Sequence, residues 1–212
     1  MNTTVNAQWL KAGYPFLRAA MMEAAEAIEA QGWKWWKKQE RDVPALQMEL
    51  SDIWHFFLSH KLIQSRGNFT MAAKELKIQS ESASVSVDFD QKNYTIINLN
   101  LVEKLELLMG LAVSRRLSIP LFSAIMKDCS MTWDDLYRSY VGKNTLNLFR
   151  QANGYKEGTY RKNWRGKEDN EHLIEIQSGL DIRMENYQKA IYSQLEQKYR
   201  SILENKTEYA TR

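Results

Sequence analysis

Apolar residues along the chain return mostly at three- and four-residue spacing, the period of an α-helix. Leu17, Ala20, Met21, Ala24, Ala25 and Ile28 form one such stripe and predict a helix from about Phe16 to Gln31. Gly32 follows it, a residue suited to the turn that ends a helix. A second helix is predicted from Asp42, which can cap it, with Pro44 in its first turn. It runs through Leu46, Leu50, Ile53, Phe57 and Leu58 to about Ile63. Its apolar residues cover much of its circumference, so it belongs at the centre of the fold.

Further helices are predicted over Glu103–Leu117, over Ser118–Lys127 after a proline break, and from a Thr132 cap through Trp133, Leu136 and Tyr140. Asn144 to Asn153 extends that last helical region. An amphipathic helix over about Leu180–Leu203 closes the chain. Between Gly67 and Asn100 the pattern is weaker: Met71–Ile78 reads as a short helix, and the alternation of Val85, Val87 and Phe89 reads as a strand or as part of a polar lobe. Residues 154–167 hold three glycines and read as a loop. Long Ala-, Leu-, Glu- and Lys-rich stretches and only three prolines complete an all-α expectation. The expected organisation is one domain over 1–212: a helical bundle core at about 16–65 and 103–152, a smaller mobile lobe at about 67–100, and a basic loop at 154–170.

Composition narrows the partners. The net charge of +3 over 212 residues demands neither nucleic acid nor a membrane surface. No apolar run approaches the ~18 residues that cross a bilayer, and the N-terminus lacks a basic-then-apolar leader. The single cysteine, Cys129, forms no disulfide within the chain and reads as a buried helical core residue. A reducing, cytoplasmic location is the expectation.

Two acidic pairs carry candidate chemistry. Glu23 and Glu26 are three apart on the first predicted helix; Glu49 and Asp52 are three apart on the second. Residues at that spacing share a helix face. A lone Glu-x-x-Glu is ordinarily a solvated face. The second pair, however, is set among Leu50, Ile53, Trp54, Phe56 and Phe57, where carboxylates are rare unless paired or bound to metal. Four carboxylates in one cleft would repel, and a divalent cation would relieve the repulsion. Without clustered His or Cys, the donor set suits Mg²⁺ or Mn²⁺ rather than zinc.

A basic constellation complements it. Lys143, Arg150, Lys156, Arg161, Lys162, Arg165 and Lys167 lie between Val141 and Lys167, opposed only by Glu157 and interleaved with Tyr155, Tyr160 and Trp164. Such a segment is suited to phosphate oxygens. The residues alone also leave open a solvated basic loop or a single-stranded nucleic-acid contact.

The blocks Glu23-Ala24-Ala25-Glu26, Trp33-Lys34-Trp35-Trp36-Lys37, Glu49-Leu50-Ser51-Asp52-Ile53-Trp54-His55-Phe56 and Gly142-Lys143-Asn144-Thr145-Leu146-Asn147-Leu148-Phe149-Arg150-Gln151-Ala152-Asn153-Gly154-Tyr155 stand in order along the chain. With Gly158-Thr159-Tyr160, Trp164 and Gly166-Lys167-Glu168-Asp169-Asn170, they resemble the dimeric, all-α dUTPase family within the all-α NTP pyrophosphatase group, from about Trp9 to Asn170. The resemblance implies a homodimer that hydrolyses dUTP, and in some members dUDP, to dUMP with Mg²⁺. It implies Glu23, Glu26, Glu49 and Asp52 as metal ligands, with Glu26 and Glu49 catalytic and Glu26 acting on the attacking water. It also implies Lys143, Asn147, Arg150, Tyr155 and Lys162 around the phosphates, and Trp36, His55 and Asn170 around the nucleoside. Trp33 and Trp35 read as core or interface aromatics. Family members carry a longer N-terminal helix with a Gln and an Asn near the base; here Asn2–Trp9 corresponds to the end of that segment. Two other readings stay open: a pyrophosphatase for another nucleotide such as dCTP, and an inactive helical module that binds nucleotide.

Overall fold

The structure is a computed structural model that describes residues 2–82 and 84–207. It is predominantly helical, with two small sheets among the described residues. The chain forms two compact units, residues 2–136 and residues from Tyr137 onward.

The first unit begins with α1 (Asn2–Val5), then α2 (Phe16–Gln31) and α3 (Val43–Gln64). Both long helices start and stop where their local chemistry directs. Asp42 accepts a hydrogen bond from the Ala45 backbone N–H, with Pro44 in the first turn. Gly32 stands at φ 79°, and a side chain there would meet Gln39 Cβ at 2.9 Å, so this stop requires glycine. Helix α2 packs on both α3 and α5 (Leu101–Val113). Ala20, Ala24 and Ala27 of α2 are wholly buried, as are Leu46, Leu50 and Ile53 of α3. The small alanine stripe lets α2 approach the bulkier α3 closely; burying each leucine or isoleucine contributes about 1.5–3 kcal/mol. The central position expected for α3 is observed.

The segment 67–100 holds α4 (Phe69–Ser80) and a hairpin of β1 (Ser86–Phe89) and β2 (Lys92–Thr95). The β1 strand follows the Val85–Phe89 alternation; β2 carried no apolar alternation to reveal it. Leu76, Val87 and Ile96 join the same core as α2 and α3, which ties this segment into the first unit. Helix α5 ends at Val113, four residues short of the expected Leu117, because Arg115 turns into the left-handed region at φ 61°. Ser118 then caps α6 (Ile119–Asp128). Cys129 follows α6 rather than lying within it, and is buried as expected. No helix among the described residues is long and apolar enough to cross a membrane.

Helix α7 (Trp133–Ala152) is one continuous element. Thr132 and Asp135 bond reciprocally at its start: the Asp135 N–H donates to Thr132 Oγ1 and the Thr132 N–H to the Asp135 carboxylate. In the second unit, the segment expected as a loop contains a short antiparallel ladder, β3 (Asn163–Trp164) with β4 (Lys167–Glu168). It runs into α8 (Asp169–Ser178), whose Glu168–Glu171 capping box lay unread in the sequence. The last helix, α9 (Tyr187–Thr207), starts seven residues later than expected from Leu180. Leu146, Phe149, Trp164, Leu173, Ile176, Tyr187, Ile191 and Leu195 make a separate core for this unit.

Candidate active site

Of the four carboxylates predicted on α2 and α3, the structure brings three together. Glu23, Glu49 and Asp52 offer carboxylate oxygens within 4.8 Å of one another, a set that can hold a metal ion. All three are half-buried. Glu26, almost one turn along α2 from Glu23, is exposed, and its charge acts on Glu49. The Glu49 carboxyl is pushed from its ordinary 4.5 up to about 7. Burial is the largest cause, followed by a hydrogen bond shared with Glu23 and the charges of Glu23, Glu26 and Asp52. Carboxylates crowded this closely favour holding a proton or a cation, and an all-oxygen set fits a hard divalent cation.

The α2–α3 connection presents the aromatic residues. Lys34 donates its backbone N–H to Gln39 Oε1 at 2.8 Å, and Asp42 its N–H to the Ala30 carbonyl at 2.9 Å. Trp33 Nε1 and Lys34 Nζ both donate to Glu29, at 2.6 and 2.7 Å. On this pinned loop Trp35 and Trp36 are 85% and 60% exposed, their rings edge-on with centroids 4.6 Å apart. Trp33 is exposed as well, so neither Trp33 nor Trp35 is a core residue. His55 is buried on α3, its ring edge-on to Phe56 at 5.3 Å.

In the second unit one of the predicted phosphate residues, Arg150, is held by a buried carboxylate. Asp169 is fully buried. Arg150 grips it with two parallel hydrogen bonds, Nε to Oδ2 and Nη2 to Oδ1, both 2.8 Å, and the Tyr160 hydroxyl donates to Oδ2 at 2.8 Å. Burial would raise the Asp169 carboxyl, but the bonds from Arg150 and Tyr160 outweigh it and hold it below the usual range. Burial first, and then the bond to the same carboxylate, push the Tyr160 hydroxyl strongly up. Arg150 also reaches Asn147 Oδ1 through Nη1 at 3.3 Å and Asn170 Oδ1 through Nη2 at 3.4 Å. Lys162 Nζ lies over the Tyr155 ring, 5.6 Å from its centroid. Lys143 sits on α7, seven residues before Arg150.

The basic run is therefore not uniformly open. Lys167 is paired with Glu175, Arg165 bonds the Ser201 carbonyl at 3.3 Å, and Arg150 is engaged by Asp169. Asp169 and Tyr160 are the residues that sequence reasoning left without a role. The available signal was a carboxylate within a stretch of cations, but its burial was not visible in local pattern.

An all-α protein whose two central helices gather carboxylates able to hold a metal ion is the class that this fold and site define. The family model described as dUTPase matches residues 1–155, and the chain belongs to that all-α dimeric dUTPase family. The family acts on dUTP, and the match takes in the acidic set and Lys143, Asn147, Arg150 and Tyr155; Lys162 and Asn170 lie beyond it. No curated protein matches the chain.

Proposed function

We propose that the chain is a homodimeric, cytoplasmic dUTP diphosphatase that converts dUTP, and on the same chemistry dUDP, to dUMP using Mg²⁺, with Mn²⁺ as a substitute. The observation that carries this reading is the gathering of Glu23, Glu49 and Asp52, with Glu26 close enough to act on Glu49, whose carboxyl burial and the neighbouring carboxylates push up to about 7. Those four residues would hold the cation, which when bound neutralises phosphate charge and makes a coordinated water more acidic.

The chain's own residues divide the remaining work. Glu26 is the most open carboxylate of the set, and in this reading it orients the attacking water and takes its proton at a carboxylate oxygen. Lys143 and Lys162 serve as point charges for phosphate oxygens, and Arg150 as a planar donor whose orientation is held by Asp169. Asn147 and Tyr155 stand beside these cations. Exposed Trp36 offers a stacking face for the base, which adds affinity but little discrimination. His55 and Asn170 complete the proposed nucleoside contacts. An amide or backbone set that matches the uracil edge would reject cytosine by leaving buried polar groups unpaired.

Product analysis with dUTP, dCTP, dTTP and UTP, each with Mg²⁺ and with EDTA, tests the proposal. Release of dUMP and pyrophosphate from dUTP, abolished by EDTA, is the expected result. Hydrolysis of dCTP in preference to dUTP would move the assignment to another nucleotide, and no hydrolysis with either Mg²⁺ or Mn²⁺ would overturn it.

A further inference from the structure

The loop that carries Tyr155 and Lys162 is shaped by its own backbone. The Asn153 and Tyr155 N–H groups return to the Arg150 carbonyl near the end of α7, at 3.2 and 3.1 Å. Gly154 turns the chain at φ 88°, in the left-handed region that favours glycine. Its carbonyl then accepts from the Thr159 and Tyr160 N–H groups, at 2.9 and 3.1 Å, and from the Thr159 hydroxyl at 3.2 Å. Beyond the loop, the Asp169 N–H donates to the Lys162 carbonyl at 2.8 Å. These bonds fold the loop, but none of them involves the Arg150 side chain.

One side chain makes that connection. The Tyr160 hydroxyl donates to Asp169 Oδ2 at 2.8 Å, the same oxygen that accepts from Arg150 Nε. The Tyr160 ring lies 5.3 Å from Tyr199, 6.1 Å from Phe149 and 6.4 Å from Trp164 between centroids, and those three rings belong to the core of this unit. A phenylalanine would fill the same place, so packing does not call for the hydroxyl. Arg150 already balances the Asp169 charge with two parallel bonds, so charge does not call for it either. On its other side the Tyr160 ring lies 6.2 Å from that of Tyr155, which Lys162 Nζ overlies at 5.6 Å. Arg150 on one side, and Tyr155 with Lys162 on the other, thus meet at one phenol–carboxylate bond.

We propose that Tyr160 is a positioning residue that holds Tyr155 and Lys162 in register with Arg150, so that the three meet a polyphosphate as one preset group. The proposal rests on the phosphate roles given to those three residues above. Asp169 fixes the plane of Arg150, and the Tyr160 hydroxyl fixes the loop against it. Without the hydroxyl the backbone turns remain, but the placement of the loop becomes a freedom that the ligand must remove on binding. The loss falls on ligands with enough phosphates to span Arg150 and Lys162, and spares a monophosphate.

Calorimetric titration of the full chain with a non-hydrolysable dUTP analogue and with dUMP, each with Mg²⁺, tests this. Tyr160→Phe should weaken the analogue about tenfold, the equivalent of about 1.4 kcal/mol, and change dUMP affinity by less than about twofold. Lys162→Ala should weaken the analogue by itself. The doubly substituted chain should lose less than the product of the two single losses, because residues that act as one unit are not additive. Equal losses for analogue and dUMP, or single losses that simply multiply, would show a hydroxyl that only satisfies the buried carboxylate, and would overturn the proposal. So would an analogue affinity that falls in Lys162→Ala but not in Tyr160→Phe. An unchanged affinity in Lys162→Ala would instead overturn the phosphate reading beneath the proposal. Should the Tyr160→Phe chain fail to fold, hydrogen exchange of the wild type decides: the analogue should slow the Tyr160 and Asp169 amides together, and protection of Asp169 alone would refute the coupling.

Discussion

Glu49→Gln tests the acidic set through stability as well as through turnover. In the folded chain the Glu49 carboxyl is pushed from 4.5 up to about 7. The unfolded chain releases that proton near the ordinary value, so the folded state binds more protons between pH 4.5 and 7. The contribution to stability is fully present below pH 4.5 and is lost as pH rises through about 7. The full shift corresponds to about 3 kcal/mol. Glu49 is only half-buried, so solvent screening reduces the working figure to about 1–2 kcal/mol. For a chain of this size that is a fall in Tm of about 3–6 °C.

Thermal or urea unfolding in EDTA across pH 4.5–8 reads this directly. Wild type should lose stability over the window. The Glu49→Gln chain should lose less and be the more stable of the two at pH 8. Added Mg²⁺ should reverse that order, since a ligand at 100 times its Kd stabilises the competent chain by about 2.7 kcal/mol. Turnover of dUTP should be abolished by the same substitution. A wild-type curve flat with pH in EDTA, or a substituted chain less stable than wild type at pH 8 without metal, would refute the reasoning.

Asp169→Asn should destabilise the second unit by about 3–5 kcal/mol, because it strips the counter-charge from Arg150 at a fully buried position. Hydrogen exchange of the α8 amides reads the loss, and unchanged protection would show the Arg150 fork to be dispensable. Arg150→Ala leaves the buried carboxylate alone and should cost a similar amount, so its effect on phosphate binding must be measured on the folded fraction. Asp169 is held below the usual carboxyl range, so its contribution is present above pH 3.8 and is lost as pH falls below that value. Gly142→Ala should destabilise by about 1–3 kcal/mol despite the better helix propensity of alanine. The new Cβ would overlap the Gln177 amide, which donates to the Arg138 carbonyl and the Tyr187 hydroxyl. A rise in Tm for that variant would refute this packing argument.

The legibility of the chain follows how local each determinant is. Helices α2 and α3 were readable almost to the residue, because Gly32, Asp42 and Pro44 specify their ends within a few positions. Three of the four predicted carboxylates, Glu23, Glu49 and Asp52, come together for the same reason: an i, i+3 pair is a fact about one helix, and only the pairing of the two helices had to be supplied. Strand β2, the β3–β4 ladder and α8 were not, since strands of two to four residues carry little periodicity and α8 has an exposed Ile174 that blurs its apolar stripe. The early end of α5 escaped because Arg115 takes a left-handed turn that ordinarily signals glycine.

The basic set shows the limit of reading charge by counting it. Seven cations in one segment suggested an open phosphate surface, yet one of them holds a buried carboxylate and another an exposed one. Arg150 gives Nε and Nη2 to Asp169, which leaves Nη1, now on Asn147, as the nitrogen least committed to that fork. An anion that meets Arg150 therefore meets a guanidinium already fixed in plane by Asp169, and exchanges the long 3.3 Å Asn147 bond rather than the short buried pair. A preset donor loses less rotamer freedom on binding than a free one. The buried carboxylate and the cationic character of the segment thus belong to one design: Asp169 consumes part of the charge of Arg150 and in return fixes its direction.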